Sequence, residues 1–298
     1  MRIAEFFLPL RQGISTYVRI VNPKGKGIPL ITLHGGPGST HNSLELIDPL
    51  ADLGDRPVVF YDQFGCGLSS ISTNPSDYSA EDWIEELDCL INHLGYKEFF
   101  LLGHSWGGML LQLYLQAKGQ KEVKGIVLSS TLCSAAMWKE ETHRLIKKLS
   151  KDDQKAIEEA EASGNYTAKE FKEATERYMK MTVYDIPSDD TVPECLRRKK
   201  NSGTISYLSA WGESEFAPTG SLKSYDTRSF LPKIKCPSLV LYGSEDESTK
   251  LQNETMFRLL GSKDKKIHCF EGSRHMTYWE RGDSYLEIVS TFLGSLDR

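Results

Sequence analysis

A serine flanked by glycines lies in the stretch FFLLGHSWGG, residues 99–108, where an apolar run meets a helical pattern. The central five residues fit the pattern G-x-S-x-G, in which a strand, a sharp turn and a helix hold the middle residue in a strained conformation. Such a turn requires small neighbours, which explains Gly103, Gly107 and Gly108. Ser105 is therefore a candidate nucleophile for acyl transfer, held at a helix N-terminus that stabilises negative charge.

A serine hydroxyl needs a base to accept its proton and an acid to orient that base. In a strand-turn-helix arrangement of this kind, the chain order is serine, acid, histidine. Three histidines follow Ser105: His143 in a charged helical pattern, His268 inside a strand pattern, and His275 in the loop after that strand. A base has to lie on a loop at the C-terminal end of a strand, which favours His275.

The orienting acid is expected after the preceding apolar run, SLVLYG, which is followed by SEDES. Asp246 is the best candidate by position, because it lies three residues beyond Gly243, which ends the run. The residues alone leave Glu245 and Glu247 open as alternatives.

A second glycine-rich stretch, ITLHGGPGS, occupies residues 31–39. Successive glycines allow backbone N–H groups to point into a site, and Pro37 fixes the turn. A tetrahedral intermediate needs such donors, which we expect from Gly36 and from Trp106, the residue after the nucleophile. His34 precedes the nucleophile in the chain and is predicted to anchor this loop through hydrogen bonds rather than to act as the base.

Short apolar runs and helical patterns alternate around these residues. The N-terminal segment resembles a strand, and further strands are predicted at 30–33, 57–61, 99–102, 125–129, 238–242 and 266–270. Helices are predicted at 79–94 and 106–117. Buried strands separated by helices favour a mostly parallel sheet that is covered on both faces.

Residues 135–200 contain several amphipathic helical patterns and no convincing strand. One of them, TAKEFKEATERYMKM, begins with Thr167 and Glu170 at the spacing of a capping box. An all-helical segment inserted into an α/β alternation is expected to cover the C-terminal edge of the sheet, where ligands of such sheets bind. We predict a core at 1–133, a helical cap at 134–224, and the rest of the core at 225–298.

The composition excludes several classes of protein. The 298 residues carry a net charge of −5, without the basic excess of a nucleic-acid-binding protein. No apolar run is long enough to cross a bilayer, and the start of the chain does not resemble a signal peptide. The six cysteines show neither C-x-x-C pairs nor zinc spacing, so we expect free, mostly buried thiols, no metal and a cytoplasmic location.

The motifs together resemble a known family. HGGPGS, VVFYDQFGCGLSS, LLGHSWGG, SEFAPTGSLKSYD, GSEDES and SRHMTYWE are similar to stretches of the α/β-hydrolase superfamily. Within it they resemble the proline iminopeptidases, especially the tricorn-interacting aminopeptidase branch, from about residue 30 to the C-terminus. The resemblance implies an α/β-hydrolase fold, with a mostly parallel eight-stranded sheet, helices on both faces and an inserted all-helical cap. It implies these site residues: a catalytic triad of Ser105, Asp246 and His275, and oxyanion donors at Gly36 and Trp106.

The same resemblance implies a site for the free α-amino group of the substrate, formed by Glu215 and Glu247 with Tyr207 upstream. A desolvated ammonium needs anionic partners, so this assignment is physically reasonable. The expected enzyme is a serine aminopeptidase that needs no cofactor. It would release an N-terminal residue, preferably proline, from a short peptide or amino-acid amide.

Other functions remain as alternatives. An amino-acid amidase or a general carboxylesterase would use the same triad, and an esterase acting on uncharged acyl groups would not need Glu215 and Glu247. Epoxide hydrolases and dehalogenases resemble this fold but carry a carboxylate where this chain has Ser105. A non-catalytic α/β-hydrolase-like binding protein would be expected to lack a member of the triad. The cap resembles the family least, which leaves the preferred N-terminal residue open.

Overall fold

A computed structural model of the chain describes residues 2–10, 13–187 and 190–297. Its sheet has eight strands, and each predicted apolar run overlaps one of them. The strands are β1 Ile3–Pro9, β2 Ser15–Val21, β3 Leu30–Leu33, β4 Val58–Tyr61, β5 Phe99–His104, β6 Val123–Ser129, β7 Ser238–Gly243 and β8 Lys265–Phe270.

The strand order in the sheet is β1-β2-β4-β3-β5-β6-β7-β8. The first two strands form an antiparallel hairpin whose second strand also pairs antiparallel with β4. All the remaining pairs are parallel, from β4 through β3 and β5 to β8. The predicted mostly parallel, eight-stranded α/β sheet is confirmed. Because the strands from β3 to β8 run in the same direction, their C-terminal ends share one edge, where candidate residues from different parts of the chain meet.

The helices lie on both faces of the sheet and in one long segment between β6 and β7. In the described residues, the α-helices are α1 Leu50–Leu53, α2 Ala80–Leu94, α3 Trp106–Lys118, α4 Ala135–Ile146, α5 Lys151–Ser163, α6 Lys169–Thr182, α7 Glu194–Arg197, α8 Thr204–Ala210, α9 Lys250–Leu259, α10 Thr277–Glu280 and α11 Gly282–Gly294. None of these helices combines the length and the apolar composition needed to cross a lipid bilayer.

Alternate residues of the central strands pack against different helices. In β5, Leu101 belongs to a hydrophobic core that includes α2 and α3, while Phe100 and Leu102 belong to a second core that includes α1 and α11. Every residue of β5 is buried, because both faces of the sheet are covered. The apolar runs in the sequence therefore correspond to strands that lie between two layers of helices.

Helices α4 to α6 share a small hydrophobic cluster of their own, which includes Leu145, Ile157 and Phe171. The chain enters and leaves this part of the molecule at nearly the same point, since Ser134 forms an isolated antiparallel bridge with Asp226. We keep the division into core and cap at residues 134 and 224 as a prediction.

The predicted capping box at the start of α6 is wrong. The helix begins at Lys169, and its N-cap position is held by Ala168, which has no side-chain acceptor. The hydroxyl and the backbone N–H of Thr167 both donate to Asn165 Oδ1, at 2.8 and 3.3 Å. The asparagine thus forms a local turn that competes with capping of the helix by the threonine.

Candidate active site

Ser105 occupies a strained turn between β5 and α3, with φ 55° and ψ −124°. A non-glycine residue is rarely found in this conformation, which costs about 1–3 kcal/mol and persists only when its surroundings enforce it. Here the Ser105 N–H donates to the Ser129 carbonyl at 3.0 Å, and the Thr131 hydroxyl donates to the Ser105 carbonyl at 2.7 Å. The end of the neighbouring strand and the residues after it therefore hold the turn from both sides.

Glycines are needed around this serine because backbones approach each other closely. A Cβ on Gly103 would lie 2.6 Å from the Cα of Gly108, and a Cβ on Gly107 would overlap the carbonyl of Leu33. Helix α3 consequently packs its first turn directly against the ends of β5 and β3. This explains in physical terms why the pattern G-x-S-x-G occurs here.

His275 lies in the loop between β8 and α10, and Asp246 lies in the loop after β7. His275 Nδ1 and Asp246 Oδ1 are 2.7 Å apart, and both side chains are buried. The same carboxylate oxygen accepts the Ser248 N–H at 2.7 Å, which fixes its orientation. Of the three acids that the sequence left open, Asp246 is the one that bonds to the histidine, while Glu245 is exposed.

A second histidine ring packs against His275. The ring centroid of His104 lies 4.8 Å from that of His275 and 5.0 Å from that of Tyr278. Burial, with a further effect from the charge of His275, holds the pKa of His104 well below its usual value. The neutral ring of His104 therefore packs against one side of His275, the candidate base. Nothing in the sequence pattern around residue 104 indicates this contact.

A cavity of about 630 Å³ opens above these residues. Its walls include most of the residues that the sequence analysis singled out, namely Gly36, Ser105, Tyr207, Glu215, Glu247 and His275. The Trp106 side chain points elsewhere, because its Nε1 donates to Gln63 Oε1 at 2.7 Å and its ring packs on Trp83. Only its backbone N–H was predicted to act, and this group is at the first position of α3, where helical N–H groups have no partner within the helix.

The glycine-rich loop is anchored as predicted by His34. This ring is fully buried, and its Nδ1 faces the Gly35 carbonyl at 2.8 Å while its Nε2 accepts the Gln63 N–H at 3.0 Å. Burial lowers the pKa of His34 to about 4, so the ring is neutral and can donate on one side and accept on the other. Gly36 has φ 116°, a conformation that only glycine adopts readily.

His34, Asp62 and Cys66 lie close enough together to suggest a metal site. Each of them already has a protein partner, however. The Asp62 carboxylate accepts the N–H groups of His41 and Leu68 at 2.9 Å, and the Cys66 thiol donates to the Gln63 carbonyl. These bonds shape the turn after β4, and we assign no metal to the cluster.

Glu215 and Glu247 face the cavity as a pair of acids. Glu247 is 3% exposed, and its Oε2 has no hydrogen-bond partner among the residues that the structure describes. Burial, with further effects from the charges of Glu215 and Asp246, raises the pKa of Glu247 well above its usual value. Burial also raises the pKa of Glu215, while the hydroxyl of Tyr207, which donates to Glu215 Oε2, lowers it. A cation placed between these carboxylates would relieve their repulsion.

The backbone of Glu215 is held by two tryptophans. Its carbonyl accepts the indole N–H of Trp138 at 2.9 Å and that of Trp211 at 3.3 Å. The two indole rings pack edge to face at 5.8 Å. Glu215 is thus positioned by aromatic side chains from α4 and from the end of α8, and its carboxylate direction is set by Tyr207 on α8.

Several known proteins are similar to this chain in sequence or in fold. The family described as alpha/beta hydrolase fold matches residues 28–282. The proline iminopeptidase of Clostridioides difficile is 43% identical over 299 residues, and that of Lactobacillus helveticus is 40% identical over 298; each alignment covers 100% of both chains. The crystal structure of a proline iminopeptidase from Mycobacterium smegmatis superposes with a TM-score of 0.86 at 26% identity, covering 99% of each chain.

Proposed function

The chain belongs to the proline iminopeptidase family of α/β-hydrolase-fold proteins, and we propose that it is a serine aminopeptidase. It releases an N-terminal residue, preferably proline, from short peptides or amino-acid amides. The preference for proline is taken from the names of the relatives, which align over the full chain. The observation that carries the free-amino requirement is the pair of acids in the cavity that Ser105 lines, the half-buried Glu215 and the buried Glu247.

The first half of the reaction forms an acyl-enzyme. Ser105 Oγ attacks the carbonyl carbon of the N-terminal residue while its proton passes to His275 Nε2. Asp246 accepts the Nδ1–H of His275, which keeps the base in the required tautomer and stabilises the imidazolium. The backbone N–H groups of Gly36 and Trp106 stabilise the oxyanion of the tetrahedral intermediate.

The second half returns the enzyme to its starting state. The imidazolium of His275 gives its proton to the leaving amine as the scissile C–N bond breaks. Water then attacks the ester carbonyl and loses a proton to His275. The Ser105–acyl bond breaks as His275 gives that proton to Ser105 Oγ, and the amino acid is released. His275 carries every proton that moves in these two steps.

Glu215 and Glu247 make the enzyme an exopeptidase. An α-ammonium held between them places the first carbonyl of the substrate over Ser105. A chain that continued beyond the amino group would meet two carboxylates, one half-buried and one buried, without a cation. Desolvating unpaired carboxylates is costly, so an acylated N-terminus binds poorly. Tyr207 supports this selectivity by holding Glu215 in place.

The alternative functions fit these contacts less well. A general carboxylesterase with uncharged acyl substrates gains nothing from two acids that line the same cavity as its nucleophile. A non-catalytic binding protein has no need of a strained serine and of a buried Asp246–His275 pair in one cavity. An amino-acid amidase remains a variant of the proposed function, because its substrates carry the same amino group and carbonyl. We also propose a cytoplasmic location, on the ground that all six cysteines are free thiols.

The proposed function is tested with four substrates: proline p-nitroanilide, alanine p-nitroanilide, N-acetylproline p-nitroanilide and p-nitrophenyl butyrate. We expect a high kcat/KM for the two free-amino anilides, with proline preferred, and almost no hydrolysis of the acetylated anilide. Equal rates on blocked and free anilides, or hydrolysis of the ester alone, would contradict an aminopeptidase. The variant Ser105→Ala should lose these activities, and its full activity would refute the assignment of the nucleophile.

A further inference from the structure

Lys200 is the one lysine or arginine among the described residues that line the active-site cavity. It forms no ion pair with any other described residue, whereas the nearby Arg197 and Arg198 pair with acids outside the cavity. Burial of its ammonium group lowers the pKa of Lys200, and the charge of Asp62 partly opposes this effect. The cavity wall therefore contains a cationic side chain that has no ion-pair partner among the described residues.

The backbone around Lys200 is fastened to the core. The carbonyl of Asn201, the next residue, accepts the Gly67 N–H at 2.8 Å. The N–H of Gly203 donates to the carbonyl of Gly38 at 2.7 Å, at a point where no room is left for a Cβ on Gly38. This segment thus lies directly on the glycine-rich loop, and the position from which the lysine side chain extends is fixed.

Lys200 and the two glutamates are held by different elements of the cavity wall. Lys200 lies in the segment that is bonded to Gly38 and Gly67, whereas Glu215 is held by Trp138 and Trp211, and Glu247 follows β7. The charge of His275 acts on Glu215, and the charges of Glu215 and Asp246 act on Glu247. The cavity consequently carries negative charge at one place and positive charge at another.

We propose that Lys200 binds the C-terminal carboxylate of a short peptide whose N-terminal ammonium lies between Glu215 and Glu247. This inference rests on the proposed aminopeptidase function. A dipeptide or tripeptide is a zwitterion with opposite charges at its two ends, and the cavity presents the complementary charges with the nucleophile Ser105 in the same wall. Lysine is a point charge on a flexible stem, so it can follow carboxylates of peptides that differ in length. Free peptides are then preferred to their C-terminal amides.

The test compares Pro-Gly and Pro-Gly-Gly with their C-terminal amides, and follows the release of proline by chromatography. For the wild type we expect kcat/KM to be about fivefold higher for the acid than for the amide in at least one of the two pairs, as a partly exposed ion pair provides. In Lys200→Met the ratio of acid to amide should fall to about one, mainly through a higher KM for the acid. Lys200→Arg should keep the preference.

Lys199→Met is the matched control, because Lys199 is the adjacent lysine and does not line the cavity. It should keep the wild-type ratio of acid to amide. Equal rates on acid and amide in the wild type, or the same loss of preference in both methionine variants, would overturn the role of Lys200. Failure of the proposed function is recognised separately, since proline p-nitroanilide has no carboxylate. An enzyme that does not cleave this anilide is not an aminopeptidase. An enzyme that cleaves it but shows no preference for peptides with a free C-terminal carboxylate is an aminopeptidase without the carboxylate site.

Discussion

Replacement of Glu247 by glutamine is the most informative single change in the cavity. The side chain is 3% exposed, and an ammonium bound beside it is therefore largely removed from water. Glutamine keeps the shape and one acceptor oxygen but loses the charge, and Glu215 remains as a second partner. A hydrogen bond to a charged group contributes about 1.5–3 kcal/mol, so we expect kcat/KM for proline p-nitroanilide to fall by about 10-fold to 150-fold.

The same substitution should affect the ester differently. p-Nitrophenyl butyrate has no amino group, and its hydrolysis needs only the nucleophile, the base and the oxyanion donors. We expect its kcat/KM to change by less than about threefold in Glu247→Gln. Glu245→Gln is the matched control, because that exposed acid loses the same charge two residues away from Glu247. A drop of less than threefold on the anilide, or an equal drop on anilide and ester, would refute the role of Glu247 as an ammonium partner.

Glu247→Gln should also make the folded protein more stable at neutral pH. Burial and the neighbouring acids raise the pKa of Glu247 in the folded state, so this state binds the proton more tightly than the unfolded chain does. Stability is therefore lost as the pH rises from the unfolded-state pKa through the folded-state pKa, by about 1.4 kcal/mol for each unit of the shift. The gain in melting temperature over the wild type should be large at pH 8 and should vanish near pH 4. A gain that is independent of pH would contradict this account.

Two further predictions concern the nucleophile and the orienting acid. Ser105→Gly removes both the hydroxyl and the Cβ from a residue at φ 55°, so we expect no measurable hydrolysis together with a free energy of unfolding that is about 1 kcal/mol higher; a melting temperature below that of the wild type would contradict the assigned strain. Asp246→Asn keeps the shape of the site but disturbs the tautomer of His275, so kcat should fall by about 10⁴-fold while the melting temperature changes little; a loss of less than tenfold would mean that another group orients the base.

Much of the fold could be predicted because the central strands are buried on both faces. Continuous apolar runs such as 99–102 indicate a strand between two layers of helices, and every residue of β5 is indeed buried. The order of the strands in the sheet could not be derived from such runs, since it depends on which crossovers bring β3 between β4 and β5. The capping box at Thr167 was predicted wrongly, because Asn165 offers that threonine a competing acceptor.

The candidate site could be predicted only where local sequence determines local geometry. The pattern from Gly103 to Gly107 specifies the strained turn, since close backbone contacts exclude a side chain at either of these two glycines. Three consecutive acids follow β7, and only the turn geometry decides that Asp246 points to the histidine and Glu247 into the cavity. The contact between His104 and His275 joins residues 171 positions apart in the chain, and no periodicity reports it. Lys200 was missed for the same reason.

The adjacency of Asp246 and Glu247 links substrate selection to the chemical step. Without substrate, these two carboxylates and that of Glu215 are close neighbours, and burial together with their repulsion raises the pKa of Glu247. The positive charge of a bound ammonium offsets the negative charges of Glu215 and Glu247. The imidazolium that forms at His275 in the transition state offsets the charge of Asp246. A blocked substrate supplies only the second of these cations, so the glutamate pair remains without a partner for its charge. A substrate with a free α-amino group is therefore expected to have a higher kcat/KM than a blocked substrate with the same reacting carbonyl.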